Sequence, residues 1–382
     1  MIPAQRSDGR IDPPLTVLWL IKGLGAGGAE RLLVEQARHR DPGLVAPAVA
    51  YLLPGKSDLA ACVDAAGCRP IRCLGARSSW DPRWVFRLRR MLRSDHFDLI
   101  HIHSPLVAVG ARLAVLTLPR SHRPRIVVTE HNVWASHAPL TRTADRLTAG
   151  RGEIHLAVSD AVQATLPPAI RARSRVVRYG IDTAAVRARA ARPAARAELG
   201  AGADEIVIGT VANLRATKGY PDLLVAARRV VDRVPAARFV AAGRGPLETE
   251  LREQQARLGL GDRFAFLGFR PDAVRVMSAF DVFCLPSHHE GLPVALMEAL
   301  ALGLPVVATR VGGVAELVTD GVDAVLVPAG EPAALADALV ALAQDPARRA
   351  AMSRAACARA DALDATAAVR AIEAVYREAV GR

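Results

Sequence analysis

Short apolar or β-branched runs recur along this chain, each pair separated by enough residues for one helix, and no other feature constrains the fold as tightly. Six runs fall in the first half: Leu15–Ile21, Val45–Leu53, Phe97–His103, Ile126–Glu130, Ile154–Ser159 and Val176–Tyr179. Six more follow an Ala/Arg-rich stretch at 184–200: Glu205–Asn213, Arg238–Gly243, Phe264–Gly268, Val282–Ser287, Pro305–Arg310 and Val325–Pro328. These runs are apolar throughout rather than alternating, as strands covered on both faces must be, and parallel strands need crossover helices. Each half therefore reads as a doubly wound α/β unit. The length agrees, since 382 residues exceed the roughly 250–300 at which one core stops growing.

Several classes fall away. With 51% hydrophobic and 23% charged residues, the chain carries too much apolar mass for a disordered protein. Its longest apolar runs, such as Leu113–Leu118 and Leu304–Ala308, are far shorter than the roughly 20 residues a bilayer span needs, and Met1–Pro14 has no signal-peptide core. A cytoplasmic protein is expected. The five cysteines include no C-x-x-C pair and read as reduced core residues. Residues 1–180 hold 26 Lys/Arg against 14 Asp/Glu, so the whole net charge of +12 sits there, while 181–382 is balanced at 24 and 24. That asymmetry favours an anionic partner for the first half.

In open α/β sheets ligands gather at the carboxyl ends of the strands. After the first run comes Gly23-Leu-Gly25-Ala-Gly27-Gly28-Ala-Glu30-Arg31, opening an apolar-periodic helix. Gly23, Gly25 and Gly28 satisfy G-x-G-x-x-G, in which amides and a helix N-terminus hold phosphate. A dinucleotide site, and with it an NAD(P)-dependent oxidoreductase, also needs an acidic residue about 20 positions on. Tyr51-Leu-Leu-Pro54 offers none and Asp58 comes late, which weakens that reading beside anion binding or a tight turn and leaves the oxidoreductase as the lesser alternative.

A second cluster runs from Ser287 to Thr309, with Glu290 in a Gly/Pro turn, Pro293 suited to the first helical position, and Glu298 on the helix that follows. Eight residues at about 1.5 Å each separate the two carboxylates by up to roughly 12 Å, the reach of a sugar–diphosphate–ribose unit, with helix amides between them for phosphate. A carboxylate suits a diol because it accepts two hydrogen bonds. A helix cap with a surface glutamate is the plain alternative.

Glu290-x7-Glu298 with the following Gly-x-Pro-Val-Val-Ala run resembles the signature of family 4 glycosyltransferases. The resemblance spans nearly the whole chain. It takes in Gly27-Gly28-Ala-Glu30-Arg31, His103, His131 in Thr129-Glu-His-Asn, Gly180-Ile-Asp182, Leu214-Arg-Ala-Thr-Lys218-Gly219 and Gly312-Gly313-Val-Ala-Glu316. It implies a GT-B fold, with two doubly wound Rossmann-like domains facing each other across a cleft. The acceptor domain would be 1–181, with a flexible tail at 1–14, the nucleotide-sugar domain 182–365, and a terminal helix at 366–382 would return to the first domain. The implied activity is transfer of a sugar from a UDP- or GDP-linked donor to a hydroxyl acceptor with retained configuration, in envelope polysaccharide, glycolipid or secondary-metabolite synthesis. A GT-B-like nucleotide-sugar isomerase is the alternative.

The resemblance also implies roles. Glu290 would hold donor-sugar hydroxyls and act with His131 at the reacting carbon, helped by the Gly291 and Leu292 amides, and Glu298 would hold the ribose. Arg215, Lys218, Gly27 and Gly28 would meet the diphosphate, whose developing charge needs cations or dipoles. His103 and Arg31 would lie on the acceptor side. No Asp-x-Asp occurs, so no metal and no cofactor are expected. Lys218 is one of only three lysines, with Lys22 and Lys56. The chain departs from the family pattern at Asn213, Tyr179, Arg244 and Ala324.

The acceptor is expected to be anionic or lipid-linked. Over 83–93, Trp84, Leu88, Met91 and Leu92 fall on one helical face and Arg83, Arg87 and Arg90 on another, which suits peripheral contact with an anionic membrane or ordinary packing on the chain's own sheet. No aromatic run is interleaved with basic stretches, so nucleic acid is not expected.

Overall fold

The structure, a computed structural model, describes residues 13–150 and 152–382, and the tail expected at 1–14 lies, through residue 12, outside them. Two compact units are present. One runs to Gly180 and regains the chain at Ala365–Arg382, and the other is Ile181–Asp364. The switch between them falls inside Gly180-Ile-Asp182, where Asp182 Oδ1 accepts from the Ala185 amide at 2.8 Å and so caps the helix Thr183–Ala188.

The first unit is built on seven parallel strands: β1 (Leu15–Ile21), β2 (Val45–Tyr51), β3 (Ile71–Cys73), β4 (Leu99–Ile102), β5 (Arg125–Glu130), β6 (Ile154–Ala157) and β7 (Ser174–Val176). Their order is β3-β2-β1-β4-β5-β6-β7, so the winding reverses between β1 and β4. β3 was not expected. It is a three-residue edge strand, half-buried at Ile71 only, which leaves no apolar run to read. β7 lies two residues before the run at Val176–Tyr179, because the buried side chains of Val177 and Tyr179 follow the strand. The last helix, Ala365–Val380, packs on the helix Gly28–His39 and on β4 and β5.

The second unit has six parallel strands, β8 (Ile206–Val211), β9 (Ala237–Ala242), β10 (Phe264–Gly268), β11 (Val282–Leu285), β12 (Val306–Thr309) and β13 (Ala324–Val327). Their order is β10-β9-β8-β11-β12-β13, with the reversal between β8 and β11. Its core runs from β8, β9 and β11 into the helices Tyr220–Arg233 and Pro332–Gln344 through Leu223, Leu224, Phe239, Leu335 and Leu339. Two of the cysteines, Cys68 and Cys284, are buried as expected of core thiols, whereas Cys73 is exposed at the β3 edge.

Candidate functional site

In the second unit, the loops after β8, β11 and β12 meet at the winding reversal, where an open α/β sheet leaves a crevice. Glu290 follows β11 and is only 6% exposed. Lys218, after β8, donates to both of its oxygens, at 2.7 Å to Oε1 and 2.9 Å to Oε2. Ser287 Oγ donates to Oε1 at 2.6 Å, and Thr309 Oγ1, at the end of β12, donates to the Ser287 carbonyl. The carboxylate is thus fixed from three strands. Two glycines let the loops close. A side chain on Gly219 (φ +65°) would strike Pro286 O, and one on Gly312 (φ +49°) would lie 1.7 Å from Glu290 O. The Thr217 carbonyl accepts from the His288 amide at 2.9 Å, which ties the β8 loop to the β11 loop.

Pro293 is the N-cap of the helix Val294–Ala301, not its first residue. Glu298 is the fifth residue of that helix and is buried to the same degree as Glu290. Gly291 and Leu292 are buried between them. The Gly291 carbonyl accepts from Gly313, and the Leu292 amide donates to no group among the described residues. Arg215 stands exposed one turn before Lys218. His288 Nε2 lies 3.0 Å from Asp222 Oδ2, and His289 is exposed. Arg244, after β9, stacks its guanidinium 4.6 Å from the Phe269 ring centre. Among the described residues, no three His, Cys, Asp or Glu side chains converge as a metal site would require.

The first unit gathers histidines at its own reversal. His103, just past β4, and His131, just past β5, lie with Nδ1 and Nε2 3.1 Å apart. Burial pushes the His131 imidazole down to about 4 and His103 well below its ordinary value, so both are neutral. Beneath them His101, two residues earlier on the same strand face, lies with its ring centre 4.2 Å from that of His103, the planes tilted by 38°. Trp19 Nε1 (3.1 Å) and Gln36 Nε2 (2.7 Å) both donate to Tyr376 Oη and fill its two lone pairs. The Tyr376 proton therefore goes to His101 Nδ1, 2.5 Å away. His101, held neutral with a pKa of about 3 by burial and by the neighbouring His131, carries its hydrogen on Nε2 and donates to Thr129 Oγ1 at 2.6 Å. Thr129 lies 3.4 Å from Tyr179 Oη. The network runs from the C-terminal helix through β4 to β5 and reaches Tyr179. Glu130, next to His131, is fully buried with neither oxygen hydrogen-bonded, and burial followed by the Asp145 charge pushes its pKa up to about 8.

The glycine loop after β1 is less open than its pattern suggests. The Leu24 amide is spent on Lys56 O at 2.8 Å, and the Lys56 side chain lies over Gly23. A Cβ on Gly27 would fall 2.2 Å from Glu30 Oε2, so the N-terminus of the helix Gly28–His39, with Arg31 in its first turn, already carries an anion of its own. A phosphate at Gly27 and Gly28 would require Glu30 to rotate away.

His101, Thr129, Tyr376 and Glu130 had not been singled out in the sequence. The His-Ile-His spacing puts two rings on one strand face and was a usable signal, whereas Tyr376 lies 275 residues from His101 and leaves no local trace. The helix Arg83–Ser94 forms, but Trp84, Leu88, Met91 and Leu92 are all buried in the first unit's core. Its apolar face is therefore occupied by the sheet and is not available to a membrane.

Two family models match the chain, "Glycosyltransferase Family 4" over residues 26–185 and "Glycosyl transferases group 1" over 191–359. Among curated proteins, the D-inositol 3-phosphate glycosyltransferase of Kribbella flavida is 36% identical over 325 residues, 78% of this chain and 75% of the relative. The 2-deoxystreptamine N-acetyl-D-glucosaminyltransferase of Streptomyces fradiae is 33% identical over 290 residues, 69% of this chain and 66%, just under two thirds, of the relative. Among solved structures, Anabaena HepE in complex with UDP and glucose superposes with a TM-score of 0.82 at 24% identity, covering 95% of this chain and 100% of that one.

Proposed function

Because the chain belongs to glycosyltransferase family 4, with two parallel-sheet Rossmann-like units of the GT-B type, we propose that it moves a sugar from a UDP- or GDP-linked donor to a hydroxyl acceptor with retention of configuration. The observation that carries the reading is the Lys218–Glu290 pair at the second unit's winding reversal, a partly exposed ammonium holding a buried, pre-oriented carboxylate. The Lys218 ammonium has three donors and can keep Glu290 while it meets a diphosphate oxygen. As the bond from the anomeric carbon to the diphosphate breaks, charge grows on the leaving oxygens, and Lys218, Arg215 and the Leu292 amide oppose it. Glu290 and Gly291 hold the sugar hydroxyls, Glu298 the ribose, and neutral His131 gives the sugar a hydrogen-bonding ring rather than a cation. His103 and Arg31 are assigned to the acceptor side. Neither a metal nor a cofactor is part of this scheme.

The relatives named above act, by their names, on D-inositol 3-phosphate and 2-deoxystreptamine. Both belong in the acceptor panel, and the +12 charge of residues 1–180 favours the anionic one. The test incubates the protein with UDP- and GDP-sugars, with and without each acceptor, with and without EDTA, and reads product configuration by NMR. Retained configuration and unchanged rates in EDTA are expected. An inverted product, or loss of activity in EDTA, contradicts the mechanism. A changed sugar on the donor with no acceptor product assigns an isomerase instead.

A further inference from the structure

The helices Arg83–Ser94, Pro105–Leu116 and Pro139–Thr148 lie side by side in one layer of the first unit. Gly110 leaves the space that Trp84 fills, and Arg112 pairs with Asp145 at 2.5 Å between the second and third helices. Segments 83–94, 105–124 and 139–148 contain ten arginines and one acidic residue, Asp145, a net of +9 out of the chain's +12. The one acid is buried against Arg112, and the acids flanking the first helix are tied up, Asp81 with Arg83 and Asp95 with Arg72, so the outer face of the layer carries an excess of positive charge. Arg90, Arg93, Arg120 and Arg146 are exposed and form no ion pair among the described residues.

The same outer face is apolar in an unusual way. Of the eight large apolar side chains most exposed among the described residues, five sit on these helices: Phe86 at 70%, Leu113, Leu116, Leu140 and Leu147. Within each helix spacing sets them on one side, with Phe86, Arg90 and Arg93 at i, i+4 and i+7, Leu113 and Leu116 at i and i+3, and Leu140 and Leu147 at i and i+7, and the three helices are neighbours in the layer. The inner faces are already packed, so these residues contribute nothing to the core. Scattered exposed leucines are ordinary, but a group of them set among unpaired arginines needs a partner that is apolar and anionic together.

We propose that this three-helix layer is a docking surface for an anionic phospholipid bilayer, with the leucines and Phe86 entering the headgroup boundary and the arginines meeting lipid phosphates. A nucleic acid would match the charge and leave the leucines in water. The surface uses the outward residues of the layer and none of the buried face Trp84–Leu88–Met91–Leu92. It would hold the first unit at a membrane whatever the acceptor is, so vesicle binding is measured apart from transfer.

The full chain is sedimented with vesicles of phosphatidylcholine alone and of phosphatidylcholine with one third phosphatidylglycerol, across a salt series. Binding is expected only with phosphatidylglycerol, weakening as salt rises. The double variant Arg90→Glu/Arg93→Glu should bind about tenfold less tightly or worse, and donor hydrolysis should not change. The variant Leu113→Ser/Leu116→Ser/Leu140→Ser should lose the fraction that survives high salt. Circular dichroism melts check that both variants fold. No binding, equal binding to neutral vesicles, binding unchanged in both folded variants, or tighter binding to duplex DNA at equal phosphate concentration would each overturn the assignment.

Discussion

Glu290 is held by Lys218 and Ser287, and its backbone carbonyl stands where a side chain on Gly312 would have to go. A methyl group there would strike fixed backbone, and the left-handed φ of +49° adds strain of its own. Gly312→Ala should therefore cut turnover through displacement of Glu290 and lower stability by about 1–3 kcal/mol, checked by initial rates beside thermal melts. A variant with wild-type rates would mean that Glu290 needs no such placement. His131 gives a second expectation at this scale. With its imidazole pushed down to about 4, it is protonated only below that pH, so the acid limb of kcat/KM assigned to it should lie near pH 4 and not near 6.5. The difference between wild type and His131→Gln across pH 4–7 checks this.

At the scale of elements, what could be read from the sequence was what local physics enforces. Twelve of the thirteen strands begin within two residues of an apolar run, because strands buried on both faces cannot hide among polar residues. The loops carrying Lys218 and Glu290 were also legible, since a strand end followed by Gly or Pro fixes where they lie. The Tyr376–His101–Thr129 network was not. It depends on the helix Ala365–Val380 joining a sheet formed at the other end of the chain, and no spacing rule links Trp19, Gln36 and Tyr376. The burial of the 83–93 apolar face was equally hidden, because an amphipathic pattern does not say what it packs against. Tyr376→Phe should leave Trp19 Nε1, Gln36 Nε2 and His101 Nδ1 short of a partner inside the core. A loss of about 1–3 kcal/mol is expected from denaturant unfolding, and a neutral result would remove the network as a structural feature.

For the whole molecule, pH separates two opposed groups of buried side chains in the first unit. His101, His103 and His131 are neutral when folded and take up protons on unfolding below about pH 6.5, so stability is lost as pH falls through that range. Glu130 works the other way. It keeps its proton up to about pH 8 when folded and releases it near 4.5 when unfolded, so stability falls as pH rises between those values. Below pH 6.5 these imidazoles, joined by His137, which burial also lowers, oppose the raised carboxyls of Glu130, Asp145 and Glu373, and above it Glu130, pushed up to about 8, carries the decline. Melting temperature should peak near pH 6.5, and Glu130→Gln should abolish the decline toward pH 8. A decline that persists in that variant contradicts the assignment.

The account rests on a nucleotide-sugar site built around Lys218 and Glu290, and the most direct measurement is release of nucleoside diphosphate from a panel of UDP- and GDP-sugars by wild type, Lys218→Ala and Glu290→Ala. One donor should be turned over by the wild type, with kcat reduced roughly a hundredfold or more in each variant while both keep a folded-state melt. Folded variants that release diphosphate at the wild-type rate would place the chemistry elsewhere.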